Sequence, residues 1–302
     1  MKPDLLCIPC TVNAAFDIAL KATNDPDKIK SILFEVLNWL PKAIEEDTSP
    51  NILHSYAFKK VQQLTGVKDP FKDLKKLSND AALKTYPELW NMIEENDDRI
   101  EALRLSLKSS IIGNMIDFEV HGYSFNFEDF LSRIKSYLEE PLAIDDVSNL
   151  CRSIGNKTKI LYLADNAGEI VFDKLVSRCL KEKWGCEVTM VVKGGPILND
   201  ATIEDAKYIG LSDACNRIVT TGDDTIGIVI NRASEEFKNE LEKADILIAK
   251  GQGNFESLIG FEKNIGKPIC YVLRAKCKVV AKRLGVPPAS NVVKFVQIKP
   301  FL

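Results

Sequence analysis

Polar residues follow five short apolar runs in the second half of the chain, and their chemical types point to one kind of chemistry. The segments are Asp165-Asn166-Ala167-Gly168-Glu169, Lys193-Gly194-Gly195-Pro196 with Asn199-Asp200, Thr220-Thr221-Gly222-Asp223-Asp224, Lys250-Gly251-Gln252-Gly253-Asn254 and Arg274-Ala275-Lys276. Carboxylates beside a carboxamide are ligands that suit a hard cation such as Mg²⁺. Lysines beside glycine-rich turns suit phosphate oxygens, because backbone N–H groups can approach closely and the ammonium supplies charge. The combination predicts metal-assisted phosphate chemistry.

Each of these segments also has a structural explanation when it is taken alone. The Asp-Asn and Asn-Asp pairs could cap the helices that follow them, and the Gly-Gly-Pro segment could be a simple turn. Lys193, Lys250 and Lys276 could each be solvated. The case for a site rests on the coincidence of five such endings at one edge of a sheet, where ligands of open parallel sheets bind.

Several common catalytic arrangements are excluded because their residues are missing from the sequence. The only histidines are His54 and His121, so a His-based zinc hydrolase or a Ser-His-Asp triad has no base near these segments. No G-x-x-x-x-G-K-[ST] motif occurs, which excludes a P-loop. Gly251-Gln252-Gly253 begins like the dinucleotide fingerprint, but Glu256 stands where its last glycine belongs.

The elements that position these residues follow from hydrophobic patterning. β-rich, nearly continuous apolar runs lie at 159–164, 187–192, 217–220, 245–249, 268–273 and 292–298. Helix-length stretches separate most of them, a pattern typical of an α/β fold whose strands are covered on both faces. The first 145 residues instead show apolar residues at helical spacing, for example Leu103, Leu107 and Ile111. We predict a Rossmann-like, doubly wound, mainly parallel sheet with an N-terminal all-helical region packed on it, divided into a helical region at 1–145 and an α/β metal-binding domain at 146–302.

Two features of the helical half are specific enough to test. Pro41 is predicted to end the helical stripe of apolar residues that precedes it. Gly113 interrupts the amphipathic stretch SLKSSIIGNMIDF, where a glycine within a helix costs about 1 kcal/mol relative to Ala. Asn114 and Asp117, three residues apart, would share one face of a helix. They are either a buried hydrogen-bonded pair or a lid or floor of the strand-end site.

The charge balance excludes two classes of partner. The chain has 302 residues, and 40 basic against 43 acidic residues give a net charge of -3, so neither nucleic acid nor an anionic membrane has a basic surface to bind. Hydrophobic residues make up 45% of the chain, yet no run is long enough for a membrane span and no segment resembles a signal peptide. We expect a cytoplasmic protein, and the oligomeric state is left open.

The chain has eight cysteines, of which only Cys7 and Cys10 are closely spaced. In a reducing compartment this spacing favours free thiols with a metal or redox use. The pair is expected to precede a helix. Because a zinc site needs four ligands and the pair supplies two, Cys277 is a candidate third ligand. Buried thiols that pin the N-terminus are the structural alternative.

Together, these motifs resemble those of the damage-control phosphatases, in particular a group with an N-terminal Cys-x-x-Cys. The matching stretches are Cys7-Ile8-Pro9-Cys10, IIGNMIDF (111–118), LADNAGEIVFD (163–173), KGGPILNDAT (193–202), AKGQGNFE (249–256) and LRAKC (273–277). The resemblance implies hydrolysis of small phosphate monoesters, such as sugar phosphates or damaged phosphometabolites. It also implies one divalent cation (Mg²⁺, Mn²⁺, Co²⁺ or Ni²⁺) held by Asp165, Asn166 and Asp200.

The resulting hypothesis assigns a role to each remaining candidate. Glu169 would orient the attacking water, and whether Asp165 itself attacks the phosphate is left open. The other candidates would neutralise or position a small phosphorylated metabolite; they are Asn114, Asp117, Lys193, Lys250, Asn254 and Lys276. Two alternatives stay open: a Rossmann-type methyltransferase or oxidoreductase that uses S-adenosylmethionine or NAD, and a non-catalytic protein that binds metal or phosphometabolites.

Overall fold

A seven-stranded sheet forms the centre of the molecule. The computed structural model describes the backbone of residues 1–113 and 127–298, and the side chains of the same residues except 127–132. The strands are β1 (Ile144–Asp145), β2 (Lys159–Leu163), β3 (Glu187–Val192), β4 (Arg217–Thr220), β5 (Ile246–Lys250), β6 (Ile269–Ala275) and β7 (Ser290–Val296). Their order across the sheet is β1-β7-β6-β5-β2-β3-β4. All six predicted strands are present, and the short β1 is an addition.

The direction of the strands confirms the mainly parallel sheet. β2 pairs in parallel with β3 and β5, β3 with β4, and β5 with β6. β7 runs antiparallel to β6, and β1 is parallel to β7, so these two strands reverse the direction at one side of the sheet. The carboxyl ends of β2 to β6 therefore meet at one edge. The chain order reverses on either side of β2, where β3 and β5 flank it, and such a switch is where doubly wound sheets bind ligands.

Helices cover both faces of the sheet, which explains the nearly continuous hydrophobicity of the strands. Alternate residues of β2 enter different cores, with Ile160 and Tyr162 in one and Leu161 and Leu163 in the other. All four are at most 1% exposed. The first of these cores also contains Leu107, so the helical half and the sheet share a hydrophobic core.

The helices fall into two groups along the chain. Those before the sheet are α1 (Cys7–Ala22), α2 (Pro26–Glu45), α3 (Pro50–Thr65), α4 (Lys72–Glu94), α5 (Arg99–Ile112) and α6 (Phe127–Glu139). Those between or beside the strands are α7 (Val147–Ser153), α8 (Glu169–Trp184), α9 (Ile203–Tyr208), α10 (Glu235–Lys243), α11 (Gly251–Leu258), α12 (Glu262–Ile265) and α13 (Lys278–Leu284). In the part of the chain that the structure describes, no helix is both long enough and apolar enough to cross a membrane.

The helical half packs on the sheet mainly through α4 and α5, which lie against α8. This confirms the predicted architecture of a helical region on a Rossmann-like sheet. The division into domains at residue 145 stays a prediction. The first strand, Ile144–Asp145, falls on the helical side of that boundary.

Pro41 does not end a helix, contrary to the prediction. α2 continues through it to Glu45, and Leu40 and Ala43 on either side of the proline are at most 2% exposed. Proline removes one helical hydrogen bond, to the carbonyl of Leu37 four residues earlier. Burial of the neighbouring apolar side chains against the helical bundle outweighs that loss.

A buried asparagine of α4 fastens the helical half to the loops at the strand ends. Asn79 Oδ1 accepts a hydrogen bond from Gly168 N (2.6 Å), in the loop after β2. Asn79 Nδ2 donates to Asp205 Oδ1 (3.0 Å). The other Asp205 oxygen accepts from Thr202 N (2.9 Å) and from Thr202 Oγ1 (2.8 Å) at the start of α9. Asn79 therefore ties two loops of the sheet half to one helix of the helical half.

Asn79→Ala should destabilise the protein. The change leaves Gly168 N without its acceptor and takes one donor from Asp205 Oδ1, and a buried unsatisfied group costs about 1–3 kcal/mol. We expect urea denaturation to show a loss of roughly 2–4 kcal/mol in the free energy of unfolding. Asn91→Ala, at an exposed position of the same helix, is the matched control and should change it by less than about 0.5 kcal/mol. Equal losses in both variants would contradict the role of Asn79.

Candidate functional site

The segments after β2 and β3 run side by side at the switch in strand order. Asn166 and Asp200 form an isolated antiparallel bridge. Ala201 N donates a hydrogen bond to Asp165 O (2.8 Å) beside it. The structure thus brings together the three predicted metal ligands, Asp165, Asn166 and Asp200, all of which are buried or nearly so.

The Asp-Asn and Asn-Asp pairs do not cap the helices that follow them. α8 begins after Gly168, whose φ of 76° is in the left-handed region, and no side chain caps this helix. Thr202 precedes α9 and forms a capping box with Asp205. The N-cap residues of α8 and α9 are therefore Gly168 and Thr202, so the capping alternative for the two pairs is wrong, although Asn166 O accepts a backbone hydrogen bond from Ile170 N (3.0 Å).

Gly251 lets the Asp165 carboxylate approach the start of α11. Its φ is +75°, a conformation that L side chains rarely adopt, and a Cβ built on it would overlap the Asp165 carboxylate. Both constraints require glycine. The Gly251-Gln252-Gly253 run, which looks in sequence like part of a dinucleotide fingerprint, here makes room for a carboxylate.

The predicted phosphate-binding lysines at the ends of β3 and β6 differ in burial. Lys193 is 3% exposed. Its Nζ donates to Gly227 O (2.5 Å) and lies 3.4 Å from Asp200 Oδ2, so the solvated alternative is wrong for this residue. Lys276 is exposed, and its backbone N–H donates to Gln252 Oε1 (2.8 Å). Its role in substrate binding stays a prediction.

A line of contacts links Lys250 to the predicted metal ligands. Lys250 Nζ pairs with Glu169 Oε1 and donates to Ser110 O (3.3 Å). Glu169 Oε2 accepts from Asn166 Nδ2 (3.2 Å), which also donates to Asp165 Oδ2 (3.1 Å). Lys250 and Glu169 are 0% and 1% exposed. Lys250 is therefore not solvated, and Glu169 points into the site.

Asn254 braces the ends of two central strands. Its Nδ2 donates to Ala164 O (3.1 Å), just after β2, and to Lys250 O (2.7 Å), at the end of β5. Its Oδ1 is buried and has no hydrogen-bond partner among the described residues. The side chain that the sequence assigns to substrate positioning thus holds the switch point together and offers one acceptor.

Burial and mutual repulsion disfavour the ionised carboxyl groups at this edge of the sheet. Burial raises the pKa of Asp165 well above its usual range, and Glu169 and Asp200 raise it further, while Lys250 and Lys193 oppose them. Burial likewise raises the pKa of Asp200 to about 6. A further positive charge would lower both pKa values, because it favours the ionised forms.

The donor set fits a hard divalent cation. Mg²⁺ takes one or two carboxylates and keeps several waters, and the loops here offer two carboxylates and a carboxamide. Among the described residues, buried Asp200 Oδ2 has no hydrogen-bond partner, although Lys193 Nζ lies 3.4 Å away. Within residues 1–113 and 133–298, no three His, Cys, Asp or Glu side chains are arranged to hold a metal ion, so the fit rests on this mixed set.

Gly113 is the C-cap residue of α5 and keeps helical dihedral angles, with φ -49° and ψ -28°. α5 ends at Ile112. A Cβ at Gly113 would overlap the Phe172 ring and come within 3.1 Å of Glu169 Cα, so the glycine lets α5 pack closely on α8. Asn114 and Asp117, which are predicted to bind substrate, lie outside the described residues.

The Cys7 and Cys10 pair lies in the first turn of α1 and not before it. Cys7 is buried, Cys10 is exposed and Cys277 is half-buried at the start of α13. Burial raises the pKa of the Cys7 thiol, and the nearby Glu256 and Cys277 add to the shift. The predicted metal or redox use of these thiols stays a prediction, and the zinc content of Cys7→Ser protein relative to wild type distinguishes it from a purely structural role.

Comparison of the whole chain with known proteins agrees with this architecture. The chain is similar to the crystal structure of a DUF89 family protein from Pyrococcus horikoshii, with a TM-score of 0.86 and 34% sequence identity. The match covers 97% of this chain and 98% of that one. The chain is 33% identical to a damage-control phosphatase of Archaeoglobus fulgidus, over 98% of this chain and 100% of that protein. It is also 38% identical to an uncharacterized protein of Methanocaldococcus jannaschii, over 97% of this chain and 94% of that protein.

The fold and these relatives define a Rossmann-like α/β protein of the DUF89 type. A family model described as the damage-control phosphatase ARMT1-like domain matches residues 5–292. The chain therefore belongs to the damage-control phosphatase ARMT1-like family, which confirms the resemblance to the damage-control phosphatases. Its place in the group with an N-terminal Cys-x-x-Cys stays a prediction.

The sequence-based prediction does not include three residues around the site: Asp173, Tyr162 and Asn79. Asp173 Oδ1 accepts a hydrogen bond from Tyr162 Oη (2.7 Å) and lies 3.3 Å from Lys250 Nζ. Its signal in the sequence is its spacing of four residues from Glu169, which puts both carboxylates on one face of α8. Asn79 carries no such signal, because its partners are remote in the chain.

Gly251→Ala should displace Asp165 and weaken binding of a divalent cation. We expect calorimetric titration with Mn²⁺ to show a loss of affinity of about 10-fold or more, the scale on which misplaced supports of metal ligands act. Gly260→Ala is the matched control, because Gly260 also has a positive φ (+88°) but nothing within 4 Å of a built Cβ. It shares the backbone strain and should keep the wild-type affinity. Equal affinities of the two variants would contradict the steric role of Gly251.

Proposed function

We propose that the protein is a divalent-metal-dependent phosphatase that hydrolyses small phosphate monoesters, such as sugar phosphates or damaged phosphometabolites. The observation that carries the proposal is the buried group of Asp165, Asn166 and Asp200 at the switch in strand order, with the ammonium groups of Lys193 and Lys250 close by. Its membership of the damage-control phosphatase ARMT1-like family supports the same reaction class.

The proposed roles of the residues follow from their charges and positions. Asp165, Asn166 and Asp200 would hold the cation, which when bound supplies positive charge that stabilises the transferring phosphoryl group. Lys193 and Lys250 would add fixed positive charge in a site from which water is largely excluded, where it acts more strongly than in bulk solvent. Glu169 Oε2, which accepts a hydrogen bond from Asn166 Nδ2 (3.2 Å), is placed to help orient an attacking water.

The substrate side of the site is proposed from residues at its margin. Asn254 offers an acceptor through its Oδ1, which has no hydrogen bond in the described part of the chain. Lys276 is exposed at the same edge of the sheet and could reach a phosphorylated metabolite from solvent. Asn114 and Asp117 complete the proposed set on the strength of the family motif alone.

Chelation of the metal should abolish the hydrolysis of p-nitrophenyl phosphate, and replacement of Asp165 should strongly lower it. We expect activity with Mg²⁺, Mn²⁺, Co²⁺ or Ni²⁺ that is lost in EDTA and restored when the metal is returned. Asp165→Asn, which keeps the shape and removes the charge, should lower kcat by at least about 100-fold, the scale on which single electrostatic groups act in active sites. Asp213→Asn, at a position where the side chain is 78% exposed, is the control and should behave as wild type.

Other results would favour a different function. Activity that survives EDTA, or an Asp165→Asn variant as active as wild type, would sink the proposed reaction. Thermal stabilisation by metal and phosphate without turnover would indicate a non-catalytic binding protein. Stabilisation by NAD or S-adenosylmethionine would indicate a cofactor-dependent enzyme. A panel of sugar phosphates and phosphorylated cofactors, assayed with the four metals, would then identify the substrate class.

A further inference from the structure

Asp173 is a wholly buried carboxylate that the proposed reaction does not use. It is 0% exposed, one turn of α8 beyond Glu169. Its Oδ1 accepts a hydrogen bond from Tyr162 Oη (2.7 Å) on β2 and lies 3.3 Å from Lys250 Nζ at the end of β5. Its Oδ2 has no hydrogen-bond partner within the described residues. Three elements therefore meet at this one side chain.

A carboxylate in such a place needs a reason. Burial raises the pKa of Asp173 to about 7, and the nearby Glu169 also raises it, while Lys250 and the Tyr162 hydroxyl lower it. A buried ion pair seldom adds net stability, because removing the charges from water costs about as much as their attraction returns. A well-packed apolar residue would serve the core as well or better. The carboxylate is therefore better explained by what it does to Lys250.

Lys250 has its ammonium between two carboxylates of the same helix face. Glu169 and Asp173 are four residues apart on α8, so both reach the same point at the end of β5. Ser110 O, from α5, is a third oxygen at that ammonium (3.3 Å). The contact with Asp173 (3.3 Å) adds to those with Glu169 and Ser110 O, so three groups restrict the direction of the Lys250 side chain.

We propose that Asp173 is a positioning residue for the candidate site and acts through Lys250. Asp173 and Glu169 hold the Lys250 ammonium between them, and the fixed ammonium in turn fixes Glu169. Glu169 then keeps Asn166 Nδ2 (3.2 Å) beside the Asp165 carboxylate. Asp173 thus controls the orientation of the predicted metal ligands through Lys250 and Glu169, without a hydrogen bond of its own to those ligands. This inference rests on the proposed function.

The test combines Asp173→Asn with two other variants. Asp173→Asn keeps the shape of the side chain and removes its charge, and Tyr162→Phe removes only the hydroxyl that Asp173 accepts from. For each we would measure kcat and KM on p-nitrophenyl phosphate, the dissociation constant for Mn²⁺ and the melting temperature. We expect Asp173→Asn to lose roughly 10–100-fold in kcat/KM and about 10-fold in Mn²⁺ affinity. Tyr162→Phe should show a smaller loss of the same kind.

Coupling to Glu169 separates positioning from a merely structural role. If Asp173 acts through Glu169, then Asp173→Asn should cost little more once Glu169→Gln is present, because residues of one network are not additive. A lowered melting temperature with unchanged kcat/KM and Mn²⁺ affinity would overturn the inference, as would losses that add in full. If Asp173→Asn does not fold, Tyr162→Phe takes its place. Its kcat/KM and Mn²⁺ affinity, measured alone and together with Glu169→Gln, then test the inference by the same criteria.

Failure of the proposed function can be recognised separately. If the wild-type protein hydrolyses no phosphate ester with any of the four metals, the phosphatase proposal fails. The Mn²⁺ affinities of the single and double variants then decide the positioning role of Asp173 by themselves. Asp213→Asn serves again as the control for removing an exposed aspartate charge.

Discussion

The Lys250 ammonium, enclosed by Glu169 and Asp173, is the interaction on which the rest of the site depends. None of these three charged groups can be left unpaired at this depth, because an isolated buried charge costs several kcal/mol. The partners come from different elements: β5 carries the lysine, α8 both carboxylates, and α5 the carbonyl of Ser110. The strands and both helices must therefore reach their final places before these charges are compensated. Charge compensation and tertiary packing are thus acquired together.

The helical half takes part in the site and does not merely shield it. α5 supplies the carbonyl that receives Lys250, and its end at Gly113 passes so close to α8 that no Cβ would fit. α4 supplies Asn79, which accepts a hydrogen bond from Gly168 N in the loop that carries Asp165 and Asn166. A site at the strand ends of a Rossmann-like sheet is usually built from its own loops. Here the layer packed on the sheet sets part of the loop geometry.

Local patterns predict much of this arrangement, and long-range contacts account for what they miss. The apolar runs predict β2 to β7, and the family motifs place Asp165, Asn166 and Asp200 together because motif order carries information about fold. The reversed direction of β7 and the two-residue β1 have no local signal. The prediction that Pro41 ends its helix is wrong because burial of apolar side chains on both sides of the proline outweighs the lost hydrogen bond. The sequence does not identify Asn79 and Tyr162 as residues of the site, because their roles depend on partners that are close only after folding.

Gly168 N has a consequence for how the protein moves. Its hydrogen bond to Asn79 Oδ1 is buried at the seam between the helical half and the sheet, so solvent can reach this amide only when α4 separates from the loop after β2. The rate at which the Gly168 amide hydrogen exchanges with deuterium therefore measures how often the helical half separates from the sheet at this contact. This local opening is distinct from the unfolding of the sheet. One backbone amide next to the predicted cation ligands would report, in the native state, how often the two layers part.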